Sequence, residues 1–175
     1  MRRSRTSSRT EEFREFATGR AGHLHRAACL LTSGDTHLAE DLVQETLSRM
    51  YTVWGRASRI DNPAAYAQAV LVRTFLTHKR RYSASERPLA VLPDAPMPRS
   101  GDDPALRLAL LEALRELPPK DRVVVVLRYW EDRSVEETAD AMNVSSAAVR
   151  TRSTRALTKL RERLGGSLTE LIAPG

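Results

Sequence analysis

Three groups of side chains in this 175-residue sequence are of types that do chemistry. The first is His23, His25, Cys29 and His37, zinc-type donors close together in the chain. Their spacing is a poor match to a metal site. On a helix His23 and His25 point to different sides, and neither Cys-x-x-Cys nor His-Glu-x-x-His occurs. No metal is expected, and Cys29, the single cysteine, reads as a small core residue that can form no internal disulfide. The second group is the acid pairs Glu131-Asp132 and Glu136-Glu137, which fall in a turn and in a helix cap. No phosphate-cradling Gly-rich loop or G-x-S-x-G elbow accompanies them, so neither catalysis by this chain alone nor a cofactor is expected. The third group is basic. Residues 1–10 hold four Arg and no acid, residues 59–82 five bases against Asp61, and residues 146–164 six bases against Glu162. Between the last two blocks, residues 83–145 carry eight bases and twelve acids. With a net charge of +6, two separated basic blocks suggest two surfaces for a polyanion, although solvated helix faces have the same composition. Only three of the 28 basic residues are Lys, which fits GC-rich coding better than Arg-specific chemistry.

The elements that must position these groups are helical. Residues 1–10 read as a disordered basic arm. From Glu11 onward Phe13, Phe16, Leu24, Ala27, Ala28, Leu30 and Leu31 recur at three- and four-residue steps, until Thr32-Ser33-Gly34-Asp35 breaks the pattern. A second helix carries Leu38, Leu42, Val43, Thr46, Leu47, Met50 and Trp54 on one stripe, with Glu40, Asp41, Gln44, Glu45 and Ser48 on the other face. Asn62-Pro63 reads as an N-cap followed by Pro at the first helical position, opening a third helix to about Tyr82. Its last turn holds His78, Lys79, Arg80 and Arg81, which also suits the helix dipole. Residues 83–103, with Pro88, Pro93, Pro96 and Pro98, read as a flexible linker. Helices resume at Asp103-Pro104. Four consecutive valines, Val123 to Val126, could form a buried strand, but no partner strand is visible and a buried helix is the consistent reading.

The richest stretch is residues 133–164. Ser134-Val135-Glu136-Glu137 forms a capping box, and Asn143 suits the left-handed turn that ends a short helix. Ser145 then caps the next helix, giving a helix-turn-helix in which Ala139 permits close approach. At about 100° per residue, Val149, Ser153, Ala156, Leu157, Leu160 and Leu164 fall on one buried stripe. Ala147, Ala148, Thr151, Thr154 and Arg155 lie opposite, flanked by Arg150 and Arg152. Small residues at the helix start let it sink into a major groove, while Thr and Arg reach base edges and phosphates. Ser145 and the amides beside it suit a phosphate.

At this point the residues reach a family. Leu117-Pro118-Pro119-Lys120-Asp121-Arg122, then Leu127-Arg128-Tyr129-Trp130-Glu131-Asp132, then the helix-turn-helix resemble the C-terminal domain of bacterial sigma factors. Ala39-Glu40-Asp41-Leu42-Val43-Gln44-Glu45-Thr46 resembles their polymerase-binding segment. The chain looks like an extracytoplasmic-function sigma factor, the small two-domain class of the sigma-70 family, over about residues 11–165.

The resemblance implies an all-α protein of two small helical domains: a region 2-like domain at 11–82, the linker at 83–103, and a region 4-like helix-turn-helix domain at 104–168. It implies core RNA polymerase as partner, through the β′ clamp and the β flap, with Asp41, Gln44, Glu45 and Ser48 at the clamp. It implies promoter DNA as ligand and strand opening as the act. Asn62, Tyr66, Arg73, Lys79, Arg80 and Arg81 would serve the −10 element. Ser145, Ala147, Arg150, Thr151, Arg152, Thr154 and Arg155 would serve the −35 element. The loop from Trp54 to Asn62 takes the family's position for holding a flipped base, while Tyr66 and Phe75 read as core residues before stacking platforms. Family members often carry an Asn near Arg73, an acid near Thr77 and Gly-Thr where this chain has Ala147-Ala148, departures that bear on promoter sequence. The linker, net acidic, fits either passage through the polymerase channels or a plain tether. An anti-sigma factor is a further expected partner.

The chief alternative is a DNA-binding regulator independent of polymerase, such as a response-regulator output domain. Its receiver half would show alternating strands and helices, which residues 1–103 do not. A helical adaptor that binds only protein is the third class. The longest aliphatic run, Val123 to Leu127, is far short of the roughly 20 apolar residues of a membrane span. Acids and Arg14 occupy the place of a signal's apolar segment, so a cytoplasmic protein is expected.

Overall fold

The computed structural model describes residues 2–57, 61–82 and 103–172, and within them every regular element is helical. The helices are α1 (Arg2–Leu31), α2 (Thr36–Ala57), α3 (Pro63–Arg81), α4 (Pro104–Glu116), α5 (Pro119–Val125), α6 (Val135–Met142), α7 (Ser146–Leu164) and α8 (Ser167–Ile172). One π-turn, Val126–Trp130, continues α5. The expected linker lies outside the described residues apart from Asp103. Of the expected Trp54 to Asn62 loop, Trp54 to Ala57 is instead the last turn of α2, with Trp54 buried in the core, and residues 58–60 lie outside the described residues.

The expectation for residues 1–10 changes. The disordered arm is instead the start of α1, which begins at Arg2. No Pro or Gly interrupts residues 2–18, so propensity permits the helix, and contacts within α1 and with α2 secure it. Arg9 Nη2 donates to the Tyr51 and Thr52 carbonyls (3.2 and 3.5 Å) on α2, and Ser8 Oγ donates to Glu12 at 3.0 Å. Phe13 sits edge-on to Trp54, with ring centroids 5.3 Å apart. The valine run is helical as expected and buried throughout, but its last residue opens the π-turn, whose amides reach carbonyls five residues back (Glu131 N to Val126 O, 3.0 Å).

The caps fall where the residues place them. Asn62 Oδ1 accepts from Ala65 N at 3.0 Å with Pro63 at the first helical position, and Asp103 Oδ1 accepts from Ala105 N at 2.9 Å ahead of Pro104. Apolar stripes of α1, α2 and α3 (Leu24, Ala28, Met50, Leu71 and Phe75 among them) form one half of the core. Leu110, Leu114, the valine run, Val149, Ala156 and Leu160 form the other.

The halves are joined. Helices α1 and α3 pack against α4, α5, the π-turn and α6, so the buried cluster is continuous across them. Arg122, 1% exposed, lies at the junction. Its guanidinium donates to the Leu31 carbonyl at the end of α1 (2.8 Å) and to the Arg115 and Leu117 carbonyls at the end of α4 (3.0 and 3.2 Å). These carbonyls belong to helix ends with no intrahelical partner, and a buried cation is a strong donor for them.

Candidate nucleic-acid interface

The helix-turn-helix is built by short-range chemistry. Ser134 Oγ accepts from Glu137 N (3.0 Å) and Glu137 Oε2 accepts from Ser134 N (2.8 Å), completing the capping box. The Ser134 amide, with help from the Arg133 charge, holds the Glu137 carboxyl below its usual range. Asn143 takes φ 54° and ends α6, with Val144 N donating to Ala139 O at 3.0 Å. Asn tolerates the left-handed conformation better than other residues with a side chain, apart from Asp. Ser145 Oγ then accepts from Ala148 N at 3.1 Å and starts α7.

Helix α7 buries Val149, Ala156, Leu160 and Leu164, while Ser153 and Leu157 of the expected stripe are half-buried. Ser153 Oγ lies 3.0 Å from Tyr129 Oη. Ser145, Ala147, Arg150, Thr151, Thr154 and Arg155 are exposed. Arg150 pairs loosely with Glu136 at 3.4 Å, and Thr154 Oγ1 donates to the Arg150 carbonyl. Arg152 turns away from this face: its Nη1 donates to Asp121 Oδ1 at 2.8 Å. Arg155 meets the same carboxylate with two bonds of 2.9 Å. Burial alone would raise the Asp121 pKa, but the bonds and charges of the two arginines outweigh it and hold the carboxyl below its usual range.

On α2, Asp41, Gln44, Glu45 and Ser48 share one exposed face, while Leu42 and Val43 are buried and Leu47 is half-buried. Glu45 Oε1 accepts from Arg49 at 2.6 Å, a solvated pair of small energetic value. On α3 the expected set is scattered in role. Asn62 is used as the cap, and Tyr66 is half-buried against the core. Lys79 lies 6.0 Å from the Phe75 ring centre, and Arg80 and Arg81 are exposed at the helix end. Phe75 is fully buried, so it is a core residue. Burial and the Lys79 charge lower the His78 pKa, against the opposing pull of Asp35, Glu45 and Asp41.

Arg73 reaches across to the helix-turn-helix, donating to the Ala141 and Asp140 carbonyls of α6 at 3.3 and 3.4 Å. Beside it lies a polar junction that sequence reasoning missed. Glu131 Oε2 accepts from His23 Nε2 and Gln68 Nε2, both at 2.5 Å, and Gln68 Oε1 accepts from Arg133 Nε at 2.7 Å. These partners are 63 to 108 residues apart, so no local pattern announces them. His23 is thus committed to a carboxylate, while the His25 ring lies 3.7 Å from Cys29 Sγ, whose thiol is pushed up to about 11 by burial and by Glu40. Among the described residues no three such groups converge as a metal set. No helix among them is long and apolar enough to cross a membrane.

The comparisons agree with this geometry. The family model for sigma-70 region 2 matches residues 16–85, which span the exposed α2 face and all of α3. The model for sigma-70 region 4 matches residues 107–160, which take in α6 and α7 as far as Leu160. The RNA polymerase sigma-E factor of Streptomyces coelicolor is 38% identical over 153 residues, covering 87% of this chain and 86% of that protein. The sigma factor CarQ of Myxococcus xanthus is 36% identical over 132 residues, covering 73% and 75%. Among solved structures, the sigma factor RpoE of Bartonella quintana, in complex with the anti-sigma factor NepR, shares the fold with a TM-score of 0.70 at 21% identity, covering 89% of this chain and 98% of that one. The extracytoplasmic-function sigma factor SigJ of Mycobacterium tuberculosis gives a TM-score of 0.59 at 26% identity, covering 89% and 55%. With both regions in order and the same all-helical fold, this chain belongs to the extracytoplasmic-function class of the sigma-70 family, the RNA polymerase sigma factors of transcription initiation.

Proposed function

We propose that the three surfaces divide the work of initiation as follows. The α2 face of Asp41, Gln44, Glu45 and Ser48 docks on the β′ clamp of core polymerase. The outer face of α7, from Ser145 and Ala147 through Arg150, Thr151 and Thr154 to Arg155, reads the −35 element with Arg152 at its edge. Helix α3, with Tyr66, Arg73, Lys79, Arg80 and Arg81 and with Asn62 at its start, serves the −10 element and strand opening. The working units are residues 11–82 and 104–168, with 83–103 between them, and the β flap receives the second unit. Phosphoryl chemistry belongs to the core enzyme, and the site of action is the cytoplasm. An anti-sigma factor is the partner class that holds such a chain in reserve.

The observation that carries this reading is the co-occurrence of an exposed polar α2 face over a buried apolar stripe with a capped helix-turn-helix whose second helix exposes small, hydroxyl and basic residues. One consequence is geometric. The −10 and −35 elements lie about 25 base pairs apart, or about 85 Å of duplex at 3.4 Å per step. In the free chain Arg73 of α3 touches α6 directly. Both elements cannot be held in that arrangement, so polymerase binding must separate α3 from the helix-turn-helix.

The test is assembly followed by footprinting. Asp41→Arg/Gln44→Ala/Glu45→Arg is expected to lose core polymerase while remaining folded. Arg150→Ala/Thr154→Ala is expected to keep core polymerase and lose protection near −35. If both variants assemble and footprint as the wild type does, the division of surfaces is wrong.

A further inference from the structure

Asp121 lies outside every surface assigned above, yet its carboxylate holds two arginines of α7. The side chain is fully buried, and a carboxylate so placed is destabilising unless charge and hydrogen bonds compensate it. Three N–H donors do so: Arg152 Nη1 to Oδ1, Arg155 Nη2 to Oδ1 and Arg155 Nε to Oδ2, at 2.8 to 2.9 Å. The geometry of Arg155 is specific. One edge of its guanidinium is engaged by both carboxylate oxygens, which fixes the plane of the group and leaves the Nη1 edge outside that contact. The side chain of Arg155 remains 51% exposed and that of Arg152 27%.

Angular arithmetic places this pair. At about 100° per residue, Ala147, Thr151 and Thr154 form the middle of the exposed face, Arg150 flanks one side, and Arg155 flanks the other with Arg152 beyond it. A free arginine loses rotamer entropy when it settles on a ligand. Arginines already held by a buried anion lose less, and they offer donors in one direction only.

We propose that Asp121 is a positioning residue for promoter recognition: by fixing Arg152 and Arg155 it presents a pre-oriented guanidinium edge to the DNA backbone beside the bases that α7 reads. The inference rests on the reading of α7 as the −35 helix. It distinguishes two quantities that a simple charge or a simple strut would move together. Asp121→Asn keeps the shape and removes one negative charge, so nonspecific attraction to DNA stays or rises while the ordered edge is lost.

The experiment uses the full chain in holoenzyme with core polymerase, a promoter fragment recovered by run-off transcription, and a scrambled duplex of equal length and composition. For Asp121→Asn, promoter affinity is expected to fall about tenfold, with scrambled-duplex affinity unchanged or higher. Arg155→Lys keeps the charge but cannot make the two-pronged contact, and it is expected to give the same selective fall. Arg155 itself lies on the DNA-facing side, so its variant alone reports direct contact. Asp121→Asn placed in the Arg155→Lys background should give no further selective fall, and Asp121→Glu, which keeps the charge but moves the carboxylate, takes the place of Asp121→Asn if that variant fails to fold. Promoter and scrambled affinity falling together with the melting temperature would make Asp121 a strut only. Both rising together would make it only a damper of charge, and no change in either variant would also overturn the proposal. A wild-type chain that directs no start site with active core polymerase would instead contradict the reading of α7 on which the proposal rests.

Discussion

Replacing Glu131 with Ala is expected to loosen the contact between the two halves of the chain without unfolding either. The side chain of Glu131 is 5% exposed and accepts from His23 and Gln68, both at 2.5 Å. Gln68 is 4% exposed, so in the variant its amide N–H loses its acceptor in a buried place, at about 1–3 kcal/mol. The side chain of His23 is 39% exposed and can turn to water, so its share is discounted to a few tenths. When the halves separate, both donors reach water, so the cost falls on the closed arrangement alone. A net effect of about 2 kcal/mol corresponds to about a 30-fold shift towards opening. Amide hydrogen exchange reads this directly. Protection should fall by up to about that factor across residues 68–75 of α3 and 138–142 of α6. Residues 42–50 of α2, which pack on α1 and α3, should keep theirs. Unchanged protection in all three windows would refute the role of Glu131 as a junction, and a uniform loss would show that it supports the whole fold instead.

Three further outcomes follow from the same geometry. Asp41→Arg/Gln44→Ala/Glu45→Arg changes only exposed side chains, so the unfolding free energy from urea titration should change by no more than about 0.5 kcal/mol per site while co-sedimentation with core polymerase is lost. At Asn143, φ 54° favours Gly as a replacement and penalises a β-branched residue. Asn143→Gly should be nearly neutral in thermal melting and Asn143→Val should lose about 1–2 kcal/mol. Asp121 has a carboxyl held below its usual range by Arg155 and Arg152, after burial is outweighed. Its stabilising contribution is therefore complete above the ordinary Asp value near 4 and is lost as pH falls through the lower folded value. Acid titration should accordingly show wild type and Asp121→Asn differing at neutral pH and converging at the acid end.

What could be read from the residues was what short-range physics decides. The capping box at Ser134 and Glu137, the left-handed Asn143 and the Asn62-Pro63 start each involve partners within three residues or a single backbone angle. The buried stripe of α7 follows from helical period alone, which is why Val149, Ala156 and Leu160 fell into place. Arg152 did not, because its direction is set by Asp121, 31 residues earlier. The start of α1 was missed for a related reason: Arg9 meets Tyr51 and Thr52 more than 40 residues away, and a polar, basic run reads as a loose arm without that contact. The junction of Glu131, His23, Gln68 and Arg133 joins segments that each look complete by themselves, so nothing in either half announces it. Composition and helical period supplied the parts, while their mutual packing depends on side-chain pairs that only the fold brings together.

The most direct measurement is run-off transcription from a genomic fragment library with core polymerase, with and without this chain. Start sites that appear only when the chain is present, and vanish with Asp41→Arg/Gln44→Ala/Glu45→Arg, are the expected result. No new start sites with a demonstrably active core enzyme would contradict the account.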